Sequence, residues 1–383
     1  MELGTFYNGV KIEREDKIIH ARFLVPHRVI STCRVAGGIT DSLEYIYNHQ
    51  SCEPAGHHSA TASAMSDMPS EYRAAICAKH YLPAEKCATL GTAANMQYAS
   101  VQHTTFRDLE VVAVCTGGVE TNGGRAGDPA GHYEHEGVYE KLDPIRAVPL
   151  HGTINTMLFI SKDLTDGALV RTIMTATEAK TVALQELAVP SRYSDGLATG
   201  TGTDQIGVAC RIGGSMPLTG AGKHSKLGEL IGITVRDAVK ETLRLQNGLE
   251  PSYQRSVLIL TRRFGNDKKL MTNHICKKLD EKDADLFVKN FICIDRDPLV
   301  VGAVSGFLDV HDKMKWGILP KSCFRELYGS YAAQIASAVS GRFDCFAEFR
   351  SKLIEEIAAS NNMSLLTCIY NAIAKGFTEK WKE

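Results

Sequence analysis

The chain has 383 residues, with 43 Lys plus Arg against 44 Asp plus Glu, 44% apolar residues and 23% charged ones. That is ordinary globular composition, with enough chain for one large core or two domains, and it excludes a disordered or fibrous protein. The balanced charge, without a basic cluster, also excludes a reader of nucleic-acid phosphates, which needs a concentrated field of Lys and Arg.

Met1 to Asp16 carries Lys11, Glu13, Arg14, Glu15 and Asp16 where a signal peptide would need an apolar core. Nor does any uninterrupted apolar run reach the ~18 residues of a membrane span, so a cytoplasmic protein without membrane insertion is expected. Ile18 to Cys33 alternates loosely, with β-branched residues, and predicts paired strands turning near Pro26. Pro69 to about Met96 is Ala-rich and predicts a helix broken near Gly91, followed by a strand over Leu109 to Cys115. Thr116 to Gly137 is a Gly-rich polar loop, a common carrier of ligand contacts. A strand from Thr153 to Ile160, a helix from Asp166 as N-cap to Leu187, and a strand from Gln205 to Cys210 make an α/β unit. Ser225 can cap a further helix, whose apolar stripe from Leu227 to Leu243 ends at Asn247-Gly248. After Ser252 the pattern is almost wholly helical, with segments at 252–264, 283–292, 323–338, 343–359 and 363–380.

The expected class is therefore α/β (α+β): a mixed sheet with packed helices over 1–250, then a largely helical region over 251–383, packed on that core. The eleven cysteines form no C-x-x-C pair and are odd in number, so they predict buried thiols rather than a disulfide framework or zinc knuckle.

Four short segments concentrate polar groups among glycines: T-G-G-V-E-T-N-G-G-R-A-G-D (Thr116 to Asp128), H-G-T-I-N (His151 to Asn155), A-T-E-A-K (Ala176 to Lys180) and A-T-G-T-G-T-D (Ala198 to Asp204). Folded together they would line a polar pocket. Gly200 and Gly202 permit close backbone approach, Thr199, Thr201 and Thr203 supply hydroxyls, and Asp204 supplies a carboxylate. The last segment is no phosphate loop, since it precedes a strand and lacks the Lys. On an extended strand His151, Thr153 and Asn155 share a face, which aims a hydroxyl, an imidazole and an amide at one place. Glu178 and Lys180 are two apart on a helix and point to different faces, so one of them is expected to face the pocket.

These segments, in this order and followed by G-K-H-S-K-L-G-E-L-I-G (Gly222 to Gly232), resemble the adenosylcobinamide amidohydrolase family. The likeness is strongest from Val111 to Gly232, looser over Ser31 to Thr40, and weaker over Asp297 to Ala303 and Trp316 to Pro320. It implies hydrolysis of the amide joining the corrin ring to aminopropanol, giving adenosylcobyric acid in cobalamin salvage. The corrinoid would be substrate, with no cofactor and no nucleic-acid partner. Amide hydrolysis needs an attacking oxygen, a base and donors for the oxyanion. Thr153, His151, Asn155, Glu178 and Asp204 are the catalytic candidates. Asn122, Arg125, Asp128, Lys180, Thr199, Gly200, Thr201, Gly202, Thr203 and His224 are the candidates for substrate contact.

Three other readings stay open. A corrinoid-binding protein without turnover would share the pocket. His132, Glu134, His135 and Glu136, with His57 and His58, could instead hold zinc, although no H-E-x-x-H is present and no metal is expected. A fainter likeness of Thr156 to Ile160 and the following helix to the self-cleaving ornithine acetyltransferase and aminopeptidase group would make a Thr an N-terminal nucleophile after cleavage. Cleavage is not expected, because Asn155 precedes Thr156 where that group has a small residue.

Overall fold

A computed structural model describes residues 1–53, 68–142, 152–360 and 363–381, and divides the chain into two compact units, Met1–Glu250 and Pro251–Glu383. It is a mixed α/β fold with a helical C-terminal region.

In the first unit two sheets lie face to face. The first has the order β1 (Glu2–Phe6), β2 (Val10–Glu15), β3 (Ile18–Phe23), β6 (Tyr45–Gln50), β7 (Cys87–Thr92). The second has the order β5 (Gly38–Thr40), β4 (His27–Ser31), β15 (Gln205–Arg211), β13 (Ile154–Ile160), β9 (Leu109–Gly117), β8 (Ser100–Phe106). Ile12, Ile46 and Leu90 from the first sheet meet Val112, Val114, Met157 and Phe159 from the second, all essentially without solvent exposure. Strand alternation sends Ile154, Leu158 and Ile160 the other way, onto α2 (Asp166–Glu186) and α3 (Lys226–Asn247). The outer face of the first sheet, with Tyr47 and Cys87, packs on Tyr72, Ile76 and Cys77 of α1 (Pro69–Lys79). The unit is thus four layers deep, helix, sheet, sheet, helices.

The β13–α2–β15 connection is the α/β unit expected, with β13 and β15 parallel and α2 as the crossover. α3 begins at Ser225, whose side chain accepts from the Gly228 amide, and ends at Gly248 in the left-handed region. The N-cap of α2 is Thr165 rather than Asp166: the Thr165 hydroxyl accepts from the Ala168 amide, and Asp166 instead pairs with Arg28.

Two other expectations are corrected. Ile18 to Cys33 does not fold on itself: β3 pairs with β2 and β6, while β4 pairs with β15 and β5, so the chain at Pro26 passes from one sheet to the other. The helix predicted from Pro69 to Met96 stops at Lys79, and Cys87–Thr92 is strand β7, parallel to β6. Pro83 cannot continue a helix, and Ala88 and Leu90 find an alternating place in the inter-sheet core. Strands β1, β2, β6 and β8 were not anticipated.

The second unit is helical: α4 (Pro251–Gln254), α5 (Val257–Thr261), α6 (Lys268–Cys276), α7 (Glu281–Lys289), α8 (Phe291–Asp295), α9 (Pro298–Lys315), α10 (Phe324–Ser340), α11 (Phe346–Ala359) and α12 (Leu365–Glu379). Phe287, Phe307, Phe349 and Ile373 are among its buried centre. The predicted 252–264 helix is broken at Ser256, which caps α5 and donates its hydroxyl to the buried Asp295 carboxylate at 2.8 Å. α6 and α9 lie where no helix was predicted. Among the described residues no helix is long and apolar enough to cross a membrane.

Candidate functional site

Parallel pairing of β13 with β15 sets Asn155 opposite Gln205 at the N-terminal ends of both strands, beside the C-terminal end of β9, where Asn155 also faces Thr116. The loops entering and leaving these ends carry the Gly- and Thr-rich segments. Asp204 organises them. Its carboxylate accepts from the Ile154 amide at 2.9 Å, from the Thr201 amide at 3.0 Å and from the Thr201 hydroxyl at 2.5 Å, and it pairs with the Lys180 ammonium from α2. Both side chains are only 14–15% exposed. A carboxylate with so many donors is well compensated for its desolvation. Gly200 makes room for the pair, since a Cβ there would collide with Asp204 Oδ2 and sit 2.8 Å from Lys180 Nζ.

The neighbouring residues stitch the segments together. Gly123–Gly124 (β10) pairs with Gly200–Thr201 (β14). The Thr199 hydroxyl accepts from the Ala126 amide at 2.9 Å, and Thr181 of α2 donates to the Thr199 carbonyl at 3.1 Å. The Thr203 hydroxyl and Asn122 Nδ2 both donate to the Gly152 carbonyl, at 3.0 and 2.8 Å. Gly202 is exposed at the loop tip. The three Gly-containing segments therefore meet at one end of the second sheet, joined there by Lys180 of α2.

Thr153 lies just before β13, 5% exposed, and its hydroxyl donates to the Thr203 carbonyl at 2.7 Å, with Asn155 Oδ1 a second acceptor at 3.4 Å. Asn155 projects between the sheets, and its Nδ2 donates to Asn48 Oδ1 and to the Gly91 carbonyl, both at 2.9 Å. Both protons of that amide are thereby committed to the protein, which leaves neither for an oxyanion.

The remaining candidates lie further out. Asp128 accepts from Ser191 at 2.6 Å and from the Arg125 amide at 2.8 Å; burial opposes its ionisation, but the Ser191, Ser194 and Arg125 hydrogen bonds outweigh it and hold its carboxyl below the usual range. Arg125 is exposed and donates to the Leu197 carbonyl at 3.2 Å. Glu178 points to solvent and pairs with Lys223 at 2.6 Å, so the member of the A-T-E-A-K segment that faces the Asp204 cluster is Lys180. His224 is exposed in the turn before α3 and forms no part of the Asp204 cluster. His151 lies outside the described residues, as do His57 and His58. Among the described residues no group of three His, Cys, Asp or Glu could hold a metal ion, and His132, Glu134, His135 and Glu136 are exposed in and beside the hairpin of β11 (His132–His135) and β12 (Val138–Lys141).

Sequence reasoning missed Asn48, Gly91, Thr116 as a side chain, Tyr193 and Gln205. The Tyr193 hydroxyl donates to Asn122 Oδ1 at 2.7 Å and burial raises its pKa; Gln205 Oε1 accepts from the Gly91 amide at 3.0 Å. The signal available was N-H-Q-S at the end of an otherwise apolar strand, where buried polar residues need partners.

A family model described as adenosylcobinamide amidohydrolase matches residues 4–251. An uncharacterized protein of Methanocaldococcus jannaschii is 38% identical over 184 residues, which are 47% of this chain and 71% of that protein.

Proposed function

Because this chain belongs to the adenosylcobinamide amidohydrolase family, we propose that it cleaves the amide between the corrin ring and aminopropanol of adenosylcobinamide. Water adds across the C–N bond, giving the carboxylate of adenosylcobyric acid and free aminopropanol. The observation that carries this reading is the convergence of three Gly- and Thr-containing segments and Lys180 of α2 around Asp204 and the loop that carries it. Small residues there give a bulky ligand access to backbone and hydroxyl groups, and a largely uncharged ligand is bound by many hydrogen bonds rather than by charge.

In this reading the Thr153 oxygen attacks the carbonyl or orients the water that does. Its proton, hydrogen-bonded to the Thr203 carbonyl before reaction, or that of the water it orients, passes to the departing amine. Lys180 is the cation able to favour the developing oxyanion, and Asp204 fixes its position. Glu178, at the solvent face, has no part. The reading calls for no cofactor; the cobalt arrives with the substrate.

Incubation of the purified chain with adenosylcobinamide is expected to release aminopropanol, and Thr153→Ala is expected to abolish release while leaving binding. The full commitment of the Asn155 amide favours one second reading, a corrinoid-binding protein. Tight binding with no aminopropanol from the unmodified chain would establish that instead.

A further inference from the structure

Asn155 belongs to the second sheet, yet both acceptors of its amide belong to the first: Gly91 on β7 and Asn48 on β6. Gly91 lies on the edge strand of that sheet, and its backbone is held on both sides, the amide by Gln205 at 3.0 Å and the carbonyl by Asn155 at 2.9 Å. Asn155 and Gln205 are register partners on β13 and β15, so the pair clamps one residue of the opposite sheet.

The direction of the hydrogen bonds follows from a single group. A backbone carbonyl can only accept, so the Asn155 amide must turn its NH2 toward Gly91. That leaves Asn155 Oδ1 toward the Thr153 hydroxyl, and brings the second Nδ2 proton to Asn48. Asn48 must then present Oδ1 to Asn155 and its own NH2 to Thr116 Oγ1, which accepts at 2.8 Å. Asn48, Thr116 and Asn155 are 1–2% exposed, so water cannot substitute for a missing partner.

We propose that Asn48, reaching across from the other sheet, is a positioning residue for Thr153: it holds the Asn155 amide in the orientation that offers the Thr153 hydroxyl a second acceptor at 3.4 Å, beside the Thr203 carbonyl at 2.7 Å. This rests on the reading of Thr153 as the reacting group. Without Asn48 the Asn155 NH2 is held by the Gly91 carbonyl alone, and rotation about its χ angles moves Oδ1 away from the Thr153 hydroxyl, which keeps only the Thr203 carbonyl as acceptor. The ligand-binding loop around Gly200 and Asp204 contacts neither Asn48 nor Thr116 in the bonds described above, so substrate binding is not expected to change with them.

The test uses the full chain and adenosylcobinamide turnover, comparing Asn48→Leu, Asn48→Asp, Thr116→Val and Thr153→Ala. Asn48→Leu is expected to lower kcat about tenfold to a hundredfold with KM unchanged. Asn48→Asp should recover most of that loss, because a carboxylate accepts from Asn155 as Asn48 Oδ1 does and the Thr116 hydroxyl can reverse to donate to it. Thr116→Val removes the far end of the chain without touching Asn155 and should lower kcat less than Asn48→Leu. Circular dichroism checks that each variant is folded; if Asn48→Leu is not, Asn48→Asp and Thr116→Val decide on the same kcat and KM readout. Loss of kcat in Thr153→Ala with full kcat in every folded Asn48 and Thr116 variant overturns the positioning role alone. Full kcat in Thr153→Ala overturns the reading of the site itself.

Discussion

Asp204 accepts from two backbone amides and a hydroxyl and pairs with Lys180, so the two members of that pair differ in what their loss exposes. Lys180→Met leaves a carboxylate at 15% exposure with its three uncharged donors, and is expected to cost about 3 kcal/mol, the low end for breaking a buried pair. Asp204→Asn keeps one oxygen but turns an NH2 toward the donors of the other, so it removes the charge facing Lys180 and the acceptor of either the Ile154 or the Thr201 amide, and it should cost as much or more; urea unfolding of the two variants measures both. Gly200→Ala puts a methyl group into the pair and should lower stability by roughly 1–3 kcal/mol, with turnover falling alongside it. An activity loss in Gly200→Ala without a stability loss would mean that the Cβ blocks substrate rather than the ion pair. These residues were legible in the sequence because a carboxylate, a lysine and hydroxyls among glycines are local signals. Asn48 and Gly91 were not, since their partner Asn155 lies in another sheet, and no spacing within a strand encodes which residue of a second sheet it will face.

The same distinction governs the elements. Helices α2 and α3 are readable from sequence because a cap is a contact between residues three apart; only the choice between Thr165 and Asp166 was missed, by one position. Ser225→Ala should therefore cost about 1 kcal/mol, read as a lower unfolding midpoint. Strand β7 is not readable this way, because its short sequence C-A-T-L-G-T follows an Ala-containing helical pattern and acquires a strand conformation only by pairing with β6. The two sheets also carry a pH dependence. His49 on β6 is bonded to the Tyr72 hydroxyl of α1 at 2.6 Å, and burial first, then His80, Lys79 and Lys17, push its pKa down to about 4 against the pull of Asp16. Burial does the same to His27 on β4, also to about 4. A depressed histidine pKa means that the unfolded chain binds the proton more readily, so stability is fully present above about pH 6.5 and is lost as pH falls toward 4. Each histidine contributes about 3 kcal/mol of that loss by pH 4. Thermal unfolding at pH 7 and pH 5 should show the midpoint falling with acid, and His49→Gln should flatten the slope; an unchanged slope in that variant would remove His49 as a source.

At the scale of the molecule, every hydrogen bond named in the candidate site joins residues of Met1–Glu250, the matched family region ends at residue 251, and α3 closes with a left-handed Gly248 just before Pro251. The first unit also has its own cores on both faces of the second sheet and on the outer face of the first. The mixed α/β class and the helical C-terminal region were legible from composition and periodicity, because a change from alternating to helical patterning needs no knowledge of partners. A boundary that coincides with a helix stop, a proline and the end of a family match is expected to be a boundary in folding as well. A chain ending at Glu250 should therefore keep the far-ultraviolet spectrum of a mixed α/β protein, unfold cooperatively, and release aminopropanol from adenosylcobinamide with the kcat of the full chain. If the shortened chain folds but turns over poorly, the helical unit supplies something the reaction needs, and the site must be drawn larger than the residues of β13, α2 and β15. If it fails to fold, the two units share stability that neither core supplies alone.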